Sequence, residues 1–258
     1  MLIDTHCHIH DPKYGLRALE VLNNATNAGV GVMICIGTSA LDSQQAVDFV
    51  QDKPNCFASV GLHPHDAKLG EDDFEILANL VNNPKVIAIG ECGLDYFYEN
   101  SSKEDQVRAL RYQLELAASS GKPCIFHIRD KQKQVGSAFD DFWTIFDEFT
   151  GIKGVVHSFS AGEEELNKCL KRGLYIGLNG IMTFTKDDKQ LEAAKAVPLD
   201  RMLLETDAPY LTPTPKRGTI NEPANVELVA EFLSRLRGES VVTLAEATTG
   251  NAHALFGI

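Results

Sequence analysis

The side chains best suited to chemistry are histidines and acids, and they are unevenly spaced. His6 and His8 form an HxH pair, His63 and His65 an HPH pair, and His127 and His157 stand singly, with Glu91 and Asp207 as acids in similar local contexts. Residues two apart on an extended chain point to the same side, so His6 and His8 can share one ion. Taken alone, a histidine such as His157 reads more readily as a satisfied polar residue than as a ligand. As a set, these groups exceed what one tetrahedral ion accepts and suit two divalent ions that share a bridging carboxylate. Glu91 is the natural bridge, because each of its oxygens can face one metal. His6, His8 and Asp207 then complete one site, and His127 and His157 the other. Such a pair does hydrolysis: the ions lower the pKa of water from about 15.7 toward about 7, giving a hydroxide nucleophile. Asp207 is placed to orient that water or take its proton. Two divalent ions outweigh two carboxylates, so the pocket favours anionic substrates.

These residues matter only if the fold gathers them. Short β-branched or apolar runs at 2–6, 31–37, 56–61, 86–91, 123–128, 154–158, 174–178 and 202–206 read as eight strands. They alternate with segments of helical period. In 106–120, Val107, Leu110, Leu114 and Ala117 recur at spacings of three or four and form one apolar face. Uniform βα alternation implies parallel strands with right-handed crossovers. Closure into a (β/α)8 TIM barrel is favoured over an open α/β sheet. No GxGxxG follows the first strand, and polar residues gather after many strands rather than at one switch point.

In such a barrel the C-terminal strand ends meet on one face. His6 and His8 end the first strand, His63 and His65 follow the third, Glu91 ends the fourth, His127 the fifth and His157 the sixth, while Asp207 follows the eighth. Strand parity puts Asp4 with His6 and Glu205 with Asp207, which leaves two equal readings: acids beneath the ions that accept the free N–H of a ligating imidazole, or inward polar residues bonded to water. Cys7 and Cys92, of opposite parity, face the helices. Residues 1–258 read as a single domain, without linker, low-complexity tract or internal repeat, and the proline-rich 209–223 reads as a long active-site loop.

Composition narrows the class further. The 258 residues carry 24 Lys and Arg against 36 Asp and Glu, a formal charge of −12, and 44% apolar with 23% charged residues is an ordinary globular balance. That excludes disordered, fibrous and repeat-array chains. No run approaches the about 20 apolar residues of a membrane span. No secretory signal precedes the acidic, histidine-rich start, so the mature chain is expected to begin at or near Met1. Six cysteines without a CxxC pair point to a reducing, cytoplasmic setting.

With the residues laid out, the sequence resembles the TatD family of metal-dependent hydrolases, within the amidohydrolase-like barrels. The likeness runs through DTHCH at 4–8, GLHPH at 61–65, IGECGLDY at 89–96, HIRD at 127–130, HSFS at 157–160, LETDAPYL at 204–211, RGTINEP at 217–223 and a final NAHALFG. It covers nearly the whole chain. The resemblance implies a deoxyribonuclease-like, exonucleolytic phosphodiesterase with one to three metal ions. Together with the two-ion reading of the residues, two divalent ions (Mg2+, Zn2+ or Mn2+) are expected, with room for a third. On these motifs His6, His8, Glu91, His127, His157 and Asp207 match metal ligands and His63 matches a histidine near the substrate phosphate; His65, two residues on, is expected as a further substrate contact. Related barrels bridge their ions with a carboxylated lysine, where this chain has Glu91. Ile128 stands where a small polar residue is frequent, and Ala161-Gly162 replaces a more usual glycine after HSFS. Neither removes a ligand.

The function expected is metal-assisted hydrolysis of phosphodiester bonds near DNA ends, with Asp207 and Glu91 at the reacting centre. The acidic net charge argues against an extensive grip on duplex DNA. Arg129, Lys131 and Lys133 after the fifth strand, and Lys216 and Arg217 after the eighth, can form a local basic rim that softens this. Lys131 and Lys133 taken alone read more readily as ordinary solvated lysines, and Arg129 and Arg217 are the expected substrate contacts. The alternative is hydrolysis of a carboxylic or aminoacyl ester or amide, since the same activated water attacks carbonyl carbon. A binding protein that keeps the metal site without turnover is a third reading. No membrane association and no obligate protein partner are evident.

Overall fold

The computed structural model describes residues 1–11, 18–98, 100–130 and 137–258. Among them strands and helices alternate as β1 (Leu2–Cys7), α1 (Ala18–Asn27), β2 (Val30–Ile36), α2 (Ala40–Val50), β3 (Cys56–Val60), α3 (Glu71–Leu80), β4 (Val86–Asp95), α4 (Lys103–Ser120), β5 (Cys124–Arg129), α5 (Ala138–Phe146), β6 (Gly154–Val156), α6 (Glu163–Lys171), β7 (Tyr175–Leu178), α7 (Asp188–Ala196), β8 (Met202–Leu204), α8 (Val226–Arg237) and α9 (Val241–Phe256). The eight strands are ordered β1 to β8 in one sheet, and every described pairing is parallel. This is the (β/α)8 barrel topology implied by the sequence alternation. No helix among the described residues is long and apolar enough to cross a membrane.

The chain forms two compact units, Met1–Cys35 with Lys53–Cys56 and His157–Ile258, and Ile36–Asp52 with Phe57–Val156. In the first, β7 pairs with β8 and β1 with β2. A parallel bridge between Cys7 and Ala208 joins β1 to the chain leaving β8. Helix α9 packs on β1 and β8. Ser240 starts it by accepting the Thr243 N–H at 3.0 Å, and Gly257 ends it with φ 71°, a left-handed stop that favours glycine. Its buried Asn251 donates to the carbonyls of Leu199 and Met202, both at 2.8 Å, and so fixes the entry to β8.

The second unit is built on β3, β4, β5 and β6 in order. Helix α4 begins at Ser102, whose hydroxyl accepts from Asp105 N at 3.1 Å. Two glutamines on it are buried and act on the strands. Gln113 exchanges hydrogen bonds with the backbone of Leu62 (2.8 and 3.0 Å), and Gln106 does the same with Asp95 (2.8 and 3.1 Å). Behind β5, Phe126 meets Phe142 edge to face at 5.0 Å. Burying each ring contributes roughly 2–3 kcal/mol.

Three strands end two or more residues away from the sequence reading. β4 continues past Glu91 to Asp95, because 92–95 pairs in register with 126–129 of β5. β6 and β8 stop early, because the chain turns left-handed at Ser158 (φ 49°) and Asp207 (φ 57°).

Candidate metal centre

In the first unit β1 delivers His6 and His8 side by side, with their Nε2 atoms 3.2 Å apart. Asp207 Oδ1 lies 3.5 Å from His6 Nε2 and 3.4 Å from His8 Nε2. The left-handed turn that aims Asp207 is secured on both sides: its N–H donates to the His6 carbonyl and its carbonyl accepts from Tyr210 N, each at 2.8 Å. A non-glycine residue held in that region is strained, and such strain belongs where a side chain must be aimed. Burial would raise the Asp207 carboxyl, but the hydrogen bond with His8 and the nearby His157, His6 and His8 outweigh it and hold its pKa below the usual value.

His157 lies face to face with His6, with ring centroids 3.5 Å apart and planes 13° apart. Its Nδ1 is 3.0 Å from Glu205 Oε1, which also accepts from Ser158 N at 2.7 Å and Asn179 Nδ2 at 3.2 Å. Space for this carboxylate comes from Gly177, where a Cβ would stand 2.4 Å from Glu205 Oε2. Asp4 acts differently from its sequence expectation. It accepts from the backbone N–H of Thr206 (2.9 Å) and of His6 (3.3 Å) and from the Thr206 hydroxyl (2.5 Å). It therefore ties β1 to the segment after β8, because Thr206 sits opposite it once the two strands are in register.

In the second unit Glu91 Oε1 lies 2.8 Å from His127 Nδ1 and 3.5 Å from His63 Nε2. The strands approach closely enough for this because residue 93 is glycine: with φ 147°, a Cβ there would fall 1.9 Å from the His127 carbonyl oxygen. The other nitrogen of His127, Nε2, is 2.9 Å from Asp95 Oδ2, and His65 Nε2 is 3.0 Å from the same oxygen. Asp95 Oδ1 accepts from the N–H groups of Phe97 and Tyr98 at 2.9 and 3.0 Å. Burial alone would raise the Asp95 carboxyl, but the hydrogen bonds from His127 and His65, the nearby His127 and the Tyr98 N–H together hold its pKa far below the usual range. Burial pushes His63 down to about 4 with help from His127 and His65, against the opposing Glu91.

Among the described residues, three groups have ligand atoms mutually within 4.8 Å: His6–His8–Asp207, His6–His157–Glu205 and His63–Glu91–His127. Imidazole nitrogens and carboxylate oxygens at this spacing suit a divalent ion. His63 is neutral at pH 7, as a ligand must be, and the second nitrogen of His127 is held by a carboxylate as ligating imidazoles usually are. The donor sets therefore fit metal.

The structure thus brings His63, assigned from the sequence to the substrate phosphate, into a ligand group with Glu91 and His127. It brings His157, assigned to an ion with His127, against His6. His65 is held by Asp95. Arg129 is exposed with its guanidinium 4.2 Å from the Phe97 ring centroid. Arg217 donates to the Thr212 carbonyl at 2.8 Å and lies 3.8 Å from the Phe184 ring centroid. Lys131 and Lys133 lie outside the described residues. Sequence reasoning missed Asp95. The signal was available: Glu91, Gly93 and Asp95 alternate on one face once β4 is extended far enough.

Histidine-and-acid groups that could hold metal, carried on a (β/α)8 topology, are what a metal-dependent hydrolase barrel requires. The chain belongs to the family described as TatD related DNase, whose sequence profile matches residues 3–257, and it is an enzyme of that hydrolase and nuclease family. It is 35% identical over 261 residues to an uncharacterized metal-dependent hydrolase, YabD, of Bacillus subtilis, covering all of both chains. It is 37% identical over 245 residues to the 3'-5' ssDNA/RNA exonuclease TatD of Citrobacter rodentium, covering 93% of this chain and 91% of that one. The crystal structure of YJJV, a TatD homolog from Escherichia coli K12, superposes with a TM-score of 0.91 at 30% identity, covering 100% and 98% of the two chains.

Proposed function

We propose that the protein is a metal-dependent deoxyribonuclease that hydrolyses phosphodiester bonds near the ends of single-stranded DNA, using two divalent ions per chain, of which Mg2+, Mn2+ and Zn2+ are the candidates. The observation that carries this reading is that each compact unit holds its own complete histidine-and-acid group, His6–His8–Asp207 in one and His63–Glu91–His127 in the other. The relative named as an ssDNA/RNA exonuclease supports the substrate class. The ions would supply Lewis acidity, making water a better nucleophile at neutral pH and offsetting phosphoryl charge.

The residues divide the remaining work. Asp207, ionised at neutral pH, orients the attacking water and takes its proton. Glu91 fixes His127 and His63 in their ligating orientations. Glu205 orients His157, and Asp4 locks the strand that carries His6. His65, Arg129 and Arg217 contact the substrate backbone, whose phosphorus–oxygen bond to the departing strand breaks as water adds. A cytoplasmic setting belongs to the same reading and is supported by six free, buried cysteines.

The test uses single-stranded oligonucleotides labelled at either end, incubated with metal-stripped protein and each ion restored in turn. Progressive shortening from one end, lost in Glu91→Ala and Asp207→Asn, is expected. Intact oligonucleotides with every ion, and no difference between wild type and Glu91→Ala, would overturn the proposal. The second reading, a hydrolase of carboxylic or aminoacyl esters or amides, is favoured by the net charge of −12. Aminoacyl-tRNA, lactone and amide substrates in the same assay separate the two.

A further inference from the structure

Among the described residues the exposed aromatic side chains are Phe97 (40% exposed), Tyr98 (44%) and Tyr210 (46%). Each follows a candidate ligand closely: the first two come after Glu91 and Asp95 on β4, and Tyr210 comes after Asp207. Singly exposed rings need no explanation, but Phe97 and Tyr98 are built into the second unit's site. Their backbone N–H groups both donate to Asp95 Oδ1, on the carboxylate whose other oxygen holds His65 and His127. The two rings meet edge to face at 4.7 Å, and Tyr98 stands edge-on to His65 at 5.3 Å. The Arg129 guanidinium lies 4.2 Å from the Phe97 centroid and 5.0 Å from that of Tyr98.

A fixed pair of rings with a planar cation beside them matches a nucleotide in both its parts. The base stacks on the ring or guanidinium plane, and the phosphate pairs with the charge. A small ester or amide would leave this apolar surface in water.

We infer that Phe97, Tyr98 and Arg129 form a base-stacking platform that seats an unpaired nucleobase beside the His63–Glu91–His127 group, which restricts the substrate to single-stranded or frayed nucleic acid. The inference rests on the phosphodiesterase reading above and deepens it. Bases inside a duplex are stacked on one another and cannot reach the platform. Every base has a flat face, so the platform tolerates any sequence.

The experiment uses metal-loaded full-length protein and hydrolysis-resistant single-stranded oligonucleotides carrying either 2-aminopurine or an abasic residue at the terminal position. Binding is expected to quench the 2-aminopurine fluorescence. Phe97→Ala is expected to remove the quenching and weaken binding of the base-bearing oligonucleotide by about 5- to 150-fold, which is ~1–3 kcal/mol. Phe97→Trp restores both, and the abasic oligonucleotide binds all three proteins alike. Equal wild-type affinity for the two oligonucleotides, or unchanged quenching and affinity in Phe97→Ala, overturns the platform. Hydrolysis of bis(p-nitrophenyl) phosphate, a diester without a base, keeps the two proposals apart. If wild type cleaves it yet does not discriminate bases, the platform alone fails. If it cleaves neither this diester nor DNA while quenching persists, the platform stands and the phosphodiesterase reading fails.

Discussion

Asp95 Oδ2 and His127 Nε2 are 2.9 Å apart, on the side of the imidazole away from Glu91. The carboxylate therefore fixes which nitrogen His127 turns to Glu91 and keeps the other occupied. Partners of this kind typically set metal affinity by a factor of about 10–100. Asp95→Asn is expected to weaken binding of the second unit's ion by that factor while far-UV circular dichroism stays unchanged. Titration calorimetry on metal-stripped protein checks it, and an unchanged dissociation constant would remove the role given to Asp95.

Each ligand group draws all of its donors from one compact unit, so removing a donor from one group is expected to remove one ion. Metal analysis of the purified, reloaded protein is expected to give two ions per chain. His8→Ala and His63→Ala should each retain one, and the double variant none. A single ion in wild type, or loss of both ions in either single variant, contradicts independent sites.

Gly177 leaves the space that the Glu205 carboxylate occupies, since a Cβ there would stand 2.4 Å from Oε2. Gly177→Ala is expected to displace that carboxylate from His157, Ser158 and Asn179 and to destabilise the fold by about 1–3 kcal/mol. Thermal denaturation reads the stability. Loss of an ion from the first unit only, by metal analysis, reads the displacement. A melting temperature equal to wild type with full ion content would show that the pocket has slack.

His63 gives a pH signature with a definite sign. Its folded-state pKa is depressed to about 4 by burial, against about 6.5 when unfolded. Above pH 6.5 the group is neutral in both states and stability is at its full value. As pH falls from 6.5 toward 4 the unfolded chain takes up a proton that the folded chain refuses, so stability drops, by about 3 kcal/mol over that window. Urea denaturation in the presence of a chelator should show this slope for wild type and a flatter one for His63→Gln. Parallel profiles would mean that the imidazole protonates within the native state.

Much of this was readable from local pattern. Strand alternation and helical period need only a few neighbouring residues, so the (β/α)8 class could be read directly. The same holds for the HxH pair, because side chains two apart on a strand share a face whatever surrounds them. Asp95 was legible in principle from its parity with Glu91, but only if β4 was known to extend, and that extension depends on pairing with β5. The long loop 209–223 was legible as a loop. Its anchoring was not: buried Asn221 donates to the carbonyls of Thr206 at 2.9 Å and Tyr210 at 2.6 Å.

The amino-acid order by itself therefore determined which side chains are available for metal chemistry and which type of element carries each one. Tertiary structure alone decided their partners. His157 stacks on His6 and reaches Glu205, and His63 joins Glu91 and His127. Asp4 grips Thr206. These pairings follow from inter-strand register and from the left-handed turns at Ser158 and Asp207. Both are set by packing between segments distant in sequence, and no local periodicity encodes them.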